Sequence, residues 1–546
     1  MDPISQISGN IVDVVERKVY PGTLEISGGR ILRIIAENKD YSTYLIPGFI
    51  DSHVHIESSM LTPTEFARVA VIHGTVGSVC DPHEIANVIG LDGVRYMIAD
   101  GASVPFKFFW GASSCVPATP FETAGARVDA DQVKLLLKMD RVRCLSEMMN
   151  FPGVLNNDPD VIAKINLAKS YKKVIDGHAP GLRGEKLEKY IRSGISTDHE
   201  CFSKSEALEK IRLGMMIQIR EGSAVKNFDE LIPITKKHSS RCMFCSDDKH
   251  PDDLKMGHIN LMVKMAIHYG IDKTDVLRIA SFNPIKHYKL DVGLLQEGDP
   301  ADFLVIDDFS KLTILKTFIN GMLVAENGKT LIKESRKKIV NNFNTQEKRV
   351  QDFAIKNKAG KINIIEAFDG QLITKRVLDK PKIVDNYIVS DPERDILKIA
   401  VINRYKDKQP SIGFIRNFGL KRGAIGSSVA HDSHNIVSVG VDDIDICEAV
   451  NIIIKNKGGI SAVCGDTEKI LPLPIAGIMS DLSYKEVSKG YTELDKFAKE
   501  LGSRLRAPFM TLSFMALLVI PEIKLSDKGL FHVSRFAFID LFTAAL

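Results

Sequence analysis

The chain has 546 residues, 44% of them hydrophobic and 26% charged, with a formal net charge of +3. That length calls for two to four folding units, and the composition is that of a globular protein with ample core. The near-balanced charge argues against a nucleic acid or an anionic membrane as partner.

In chain order, the N-terminal stretch MDPISQISGNIVDVVERK is polar and contains acids. It does not read as a signal peptide, so a cytoplasmic location is expected. Residues 7–46 carry short β-like runs (GNIVDVV, GTLEISGG, RILRIIA) separated by glycine and charged residues. From 47 to 289 the pattern changes. Eight apolar runs each end in a polar or ionisable group: LIPGFIDSHVH, GTVGSVCDPHE, PFKFFWGASS, VRCLSEMMN, KVIDGHAP, GISTDHE, MMIQIREGS and CMFCSDD. Helix-like stretches separate them. Eight strands alternating with helices predict an α/β fold, a (β/α)8 barrel of the TIM type with its chemistry at the C-terminal strand ends.

Residues 290–336 return to β runs (VGLLQEGDPADFLVID, LTILKTFINGMLVAENG). They are expected to complete a small β-sandwich with residues 1–46, the barrel at 47–289 being inserted between the two parts. A charged helical segment is expected over about 337–358. It opens a C-terminal α+β domain, 337–546. Within that domain the apolar stretch Phe509 to Ile520 ends at Pro521 and is too short to span a bilayer. It could form core or the interface of a homo-oligomer.

The eight cysteines are scattered, which fits a reducing compartment rather than a disulfide framework. Cys242 and Cys245 form a CxxC with no second pair to complete a zinc site, so they read as a buried strand.

The strongest local signal is Asp51-Ser52-His53-Val54-His55. On a strand, residues i and i+2 share a face, so His53 and His55 can offer two imidazoles to one metal. An isolated HxH is weak. Here Glu147 ends the fourth run, His178 the fifth, His199 the sixth and Asp247 the eighth. Four imidazoles and two carboxylates at one barrel mouth are an inventory for metal-assisted hydrolysis by a binuclear centre. Glu57, Glu84, Glu200 and Glu221 also lie at or just beyond strand ends.

The order HxH, acid, His, His, Asp resembles the amidohydrolase superfamily. PGFIDSHVHIESSMLTP, VCDPHEIANVIG, SEMMNFPGV, DGHAPGL, TDHE, IREGS and SDDKHPDDL are similar to the adenine deaminase family, as is AHDSHNI near the C-terminus. The resemblance runs from about residue 8 to the end of the chain. It implies Glu147 as the bridging group where many relatives carry a carboxylated lysine. It implies Asp247, the first acid after the eighth strand, as ligand, with Asp248 directed to the other face. His83 is expected behind the ligands or as a helix cap, and Arg220 on the barrel exterior.

The activity so implied is deamination of free adenine to hypoxanthine and ammonia, with Mn(II) or Fe(II) favoured and Zn(II) also compatible. Asp247 would move the water proton to the leaving amine. Among the four acids, Glu221 and Glu84 are favoured as catalytic substrate contacts, with Glu57 and Glu200 as further substrate-binding candidates. His431 and His434, in His431-Asp432-Ser433-His434-Asn435, are expected to close over the site; otherwise the segment is a turn held by its own side chains. A dihydroorotase- or hydantoinase-like hydrolase is the alternative. The zinc nucleobase deaminases with a P-C-x-x-C signature are excluded, since the chain has no Pro-Cys pair.

Overall fold

The computed structural model describes residues 4–543. Eight parallel barrel strands follow in order: Phe49–Val54, Thr75–Cys80, Lys107–Ala112, Val142–Met148, Val174–Gly177, Thr197–Asp198, Met216–Arg220 and Cys242–Cys245. The first five pair in sequence order, and so do the last three. Backbone bonds close both seams. Ser196 N donates to Ile175 O at 3.0 Å, joining the fifth strand to the sixth. Asp247 N donates to His53 O at 3.0 Å, and His55 N to Asp247 O at 3.4 Å, returning the eighth strand to the first. A side chain at Gly177 would meet Thr197 O at 2.2 Å, so only glycine permits that approach. A closed barrel buries its strands on both faces, which is why FIDSHV is buried at every position.

The small β unit is one sheet built from both ends of the barrel segment. Ser5–Asp13, Lys18–Ser27, Arg30–Ala36 and Tyr44–Pro47 pair with Phe303–Ile306, Ile314–Ile319, Met322–Glu326 and Lys329–Thr330. The sheet curls so that the Gly28–Gly29 turn meets Asn320. Gly29 has φ +76°, and a Cβ there would lie 3.0 Å from Asn320 O. Ile11, Leu24, Ile31, Leu45, Phe303 and Phe318 fill the apolar layer inside.

The C-terminal region centres on a second eight-stranded sheet, from Ile362–Glu366 and Lys375–Asp379 at one edge to Gly459–Cys464 and Thr467–Pro472 at the other. Helix Asp443–Lys455 packs on it through Ile446, Val450 and Ile453. Asp442 caps that helix by accepting from Asp445 N. Helix Tyr484–Glu500 starts on a Ser483/Glu486 capping box. It docks on the barrel, where Tyr484 N donates to Glu65 Oε2 at 3.0 Å.

One expectation changes here, and one open alternative is decided. The charged stretch after residue 336 forms no long helix; its one regular turn is Val350–Phe353. Its asparagines bind neighbouring carbonyls instead: Asn341 Nδ2 donates to Lys457 O at 2.7 Å, and Asn342 Nδ2 to Val88 O at 3.2 Å. The apolar stretch at 509–520 is core, with Met510, Leu512 and Met515 fully buried. Among the described residues, no helix is long and apolar enough to cross a membrane.

Candidate active site

Every barrel strand from the fourth to the sixth, with the first and the eighth, delivers an ionisable side chain to one buried point. His53 Nε2 and His55 Nε2 lie 3.2 Å apart. Asp247 Oδ1 is 3.2 Å from His55 Nε2 and 3.7 Å from His53 Nε2. Glu147 stands between two groups of imidazoles. Its Oε1 is 3.2 Å from His55 Nε2, while its Oε2 is 2.8 Å from His178 Nδ1 and 3.3 Å from His199 Nε2. All six of these residues except the partly exposed His178 are buried.

These spacings suit a metal. Bonds of about 2.1 Å put neighbouring ligands roughly 3.0–3.4 Å apart. The donor set of imidazole and carboxylate is that of a divalent ion. Asp81 Oδ2 and His83 Nδ1 lie 3.2 Å apart beside Glu147, and neither has a hydrogen-bond partner among the described residues. Burial drives His53 well below the usual imidazole range, helped by His199 and His55. It also acts to lower His55 and His199, but the neighbouring carboxylates Asp247 and Glu147 raise His55, and Glu147 raises His199. Burial pushes Glu147 the other way, but His178, His199 and His55 outweigh it and hold the carboxyl well below its ordinary range.

The other acids take distinct places. Glu200 is clamped by Arg220, Nη1 to Oε1 at 2.6 Å and Nη2 to Oε2 at 3.0 Å. The same Nη1 donates to Asp247 Oδ2. Burial alone would raise Asp247, but Arg220, His55 and His199 hold it well below the usual carboxylate range. Glu84 opens the helix after the second strand and accepts from two histidines of the C-terminal region. His431 Nδ1 meets its Oε1, and His434 Nε2 its Oε2 at 2.5 Å. Burial would lift Glu84, yet His431, His83 and His434 hold it well below its ordinary range.

The two histidines differ. Burial lowers His431, but Glu84 and Asp248 raise it to about 9. Burial lowers His434 to about 4, and its Nδ1 accepts from Ala430 N at 3.2 Å. His434 is therefore a neutral donor to Glu84, and His431 a charged one. Glu57 lies beside Glu84, accepts from Ile85 N at 3.2 Å, and is raised by burial to about 7. Its Oε2 has no partner among the described residues.

The structure does not bring Glu221 into this assembly. The seventh strand ends at Arg220, so Glu221 falls beyond the barrel rim. It pairs with Lys226 at 2.9 Å and lines a separate cavity of about 660 Å³ with Lys249 and Met256. Arg220, expected outside, is 2% exposed and points inward. Gln218, two residues earlier and on the same face, also points in and donates to Ser52 O at 2.8 Å. That polar i, i+2 pair inside the apolar run MIQIR was the available signal. Asp248 does not turn away either: Ser58 Oγ donates to it, and it faces His431. His83, expected behind the ligands or as a cap, lies 3.6 Å from Glu147, and Asp81, which the sequence reading did not single out, joins it there.

Residues 44–324 match the amidohydrolase family, and residues 371–537 match the adenine deaminase C-terminal domain. A relative from Salinibacter ruber named adenine deaminase is 52% identical over 538 residues, covering 98% of each chain. The chain belongs to the adenine deaminase family of amidohydrolases. A Sulfurovum relative of the same name is 52% identical over 536 residues, covering 98% of this chain and 99% of its own. One from Methanosarcina mazei is 50% identical over 547 residues, with the same coverage. Membership in this family implies a divalent metal, and the buried cluster around Glu147 has the donors for one.

Proposed function

We propose that the chain hydrolyses adenine to hypoxanthine and ammonia at a binuclear divalent-metal centre. It would be a cytoplasmic enzyme of purine salvage acting on a free small molecule. The choice of adenine rests on family membership. The hydrolytic chemistry rests on one observation, the position of Glu147, whose two oxygens face two separate imidazole sets.

His53, His55, Glu147, His178, His199 and Asp247 are the residues suited to hold the metals. Bound there, Mn(II), Fe(II) or Zn(II) would supply the charge that lowers the pKa of a water toward about 7. Asp247 would accept the proton of the attacking water as its oxygen adds to C6, and return it to the amine that leaves as ammonia. Electrons pushed into the ring need an acid at a ring nitrogen. Glu57 suits that role, being buried, near half-protonated at pH 7 and free at Oε2. Glu84, held as a carboxylate by His431 and His434, suits an N–H of the purine instead. Arg220 keeps Asp247 ionised and ready to accept.

The test is ammonia release from adenine, adenosine and AMP by metal-stripped and Mn(II)-loaded protein. Activity on adenine only after loading, and kcat/KM well above that for adenosine, is the expected result. Turnover without metal defeats the metal reading. A preference for adenosine defeats the substrate and leaves the hydrolase intact.

A further inference from the structure

Beneath the ligand cluster runs a second buried chain of polar groups that the chemistry above does not use. Asp51 stands two residues before His53 and shares its face of the first strand. Asp51 Oδ1 accepts from Ser246 N at 3.0 Å and from His53 N at 3.3 Å. Asp51 Oδ2 accepts from Ser246 Oγ and faces His258 Nε2 at 2.8 Å. His258 Nδ1 meets Thr75 Oγ1 at 2.7 Å, and the ring packs edge-on to Phe66 at 5.5 Å. Asp51 and Thr75 are fully buried, and Ser246 and His258 are 2% exposed.

The chain ends next to a strained residue. Asp247 has φ +53°, a left-handed conformation that a non-glycine residue adopts at a cost. Such a conformation persists only where its surroundings over-determine it. Here the Asp247 backbone bonds to the first strand on both sides, through His53 O and His55 N. Ser246, the residue before it, is held at N and Oγ by Asp51. The carboxylate of Asp51 thus ties the two strands that carry His53, His55 and Asp247. It can do so only while its plane is fixed, and His258 fixes it from the opposite oxygen.

We propose that Asp51 and His258 are positioning residues that set the geometry of Asp247 and His53 toward the metal. The inference rests on the reading of those two side chains as ligands. Neither positioning residue touches substrate. Partners one hydrogen bond behind a ligand typically alter metal affinity or activity by about 10–100-fold when removed; Asp51 stands there through the backbone of His53, and His258 one bond further back.

Mn(II) binding to the metal-free full chain, followed through the paramagnetic resonance of the free ion, tests this alongside thermal unfolding without metal. His258→Phe keeps the ring volume and removes both hydrogen bonds. It is expected to raise the Mn(II) dissociation constant about 10–100-fold, with kcat reduced and KM for adenine unchanged. His258→Gln can still donate to Asp51 and is expected to recover most of the loss. Thr75→Val, which releases His258 without touching Asp51, is expected to lie between them and serves if His258→Phe fails to fold. Wild-type Mn(II) affinity in folded His258→Phe or Thr75→Val overturns the proposal. So does a loss that His258→Gln fails to recover, because that marks simple disruption of the core. Failure of the wild-type chain itself to bind Mn(II) overturns the metal reading instead.

Discussion

Arg220 reaches Glu200 with two nitrogens and Asp247 with one of the same two, so a single buried cation serves a carboxylate pair from the sixth and eighth strand ends. Burial works against its charge, but Glu200 and Asp247 keep it firmly protonated. Arg220→Met strands both carboxylates in a low-dielectric site. Breaking a buried pair from one side costs about 3–5 kcal/mol. Denaturant unfolding of the metal-free variant checks this, and an unchanged midpoint refutes it. Arg220→Lys should restore little, since an ammonium lacks the planar fork.

Asp247→Asn keeps the shape of the side chain and removes the carboxylate proposed to take the proton. Turnover of adenine should fall by about 10² or more. Circular dichroism and the unfolding midpoint should stay close to wild type. A variant with near-normal kcat moves the proton transfer to another acid, and Glu57 is the next to replace.

His431→Ala and His434→Ala probe the contact between the C-terminal region and Glu84. Each leaves a buried carboxylate oxygen without its donor, a loss of about 1–3 kcal/mol. The KM for adenine should rise in both variants. Because His431 carries charge and His434 does not, the His431 variant should be the more damaging near neutral pH. Equal, wild-type kinetics in the two would return the segment to a purely structural role.

Lys524 gives a pH signature of its own. It is fully buried, donates to Leu372 O at 2.6 Å and Phe514 O at 3.0 Å, and burial lowers its ammonium to about 7. The folded state therefore holds this proton less tightly than the unfolded chain. Where the unfolded chain binds more protons, stability rises with pH. This contribution should grow as pH climbs from about 7 toward the ordinary lysine value of 10.5. Relative to wild type, Lys524→Met should be most favoured below pH 7, with its advantage shrinking at higher pH. A pH-independent difference in unfolding midpoint between the two proteins contradicts this.

The barrel was legible because each strand announces itself by an apolar run that stops at a polar group, and because HxH obeys the two-residue period of a strand. His178, His199 and Asp247 could be read from the same rule, and the structure places all three around Glu147 and His55. Glu221 misled because the rule does not say at which residue a strand leaves the rim. Arg220 misled because the inward phase of its strand was given to Glu221, whereas Gln218 and Arg220, two residues apart, share the inward face. The partnership of Glu84 with His431 was out of reach, since no local pattern links positions 347 residues apart. The segment after residue 336 looked helical by its charge, yet its asparagines had carbonyls to satisfy elsewhere.

That separation between Glu84 and His431 has a consequence for synthesis. A ribosome delivers the residues proposed as metal ligands within roughly the first half of the chain, but the imidazoles that cover Glu84 emerge only much later. Until then Glu84 lacks both of its donors. A truncated product ending after the barrel is left in the same condition. Such a fragment would keep every residue proposed as a metal ligand and lack both imidazoles that hold Glu84 as a carboxylate.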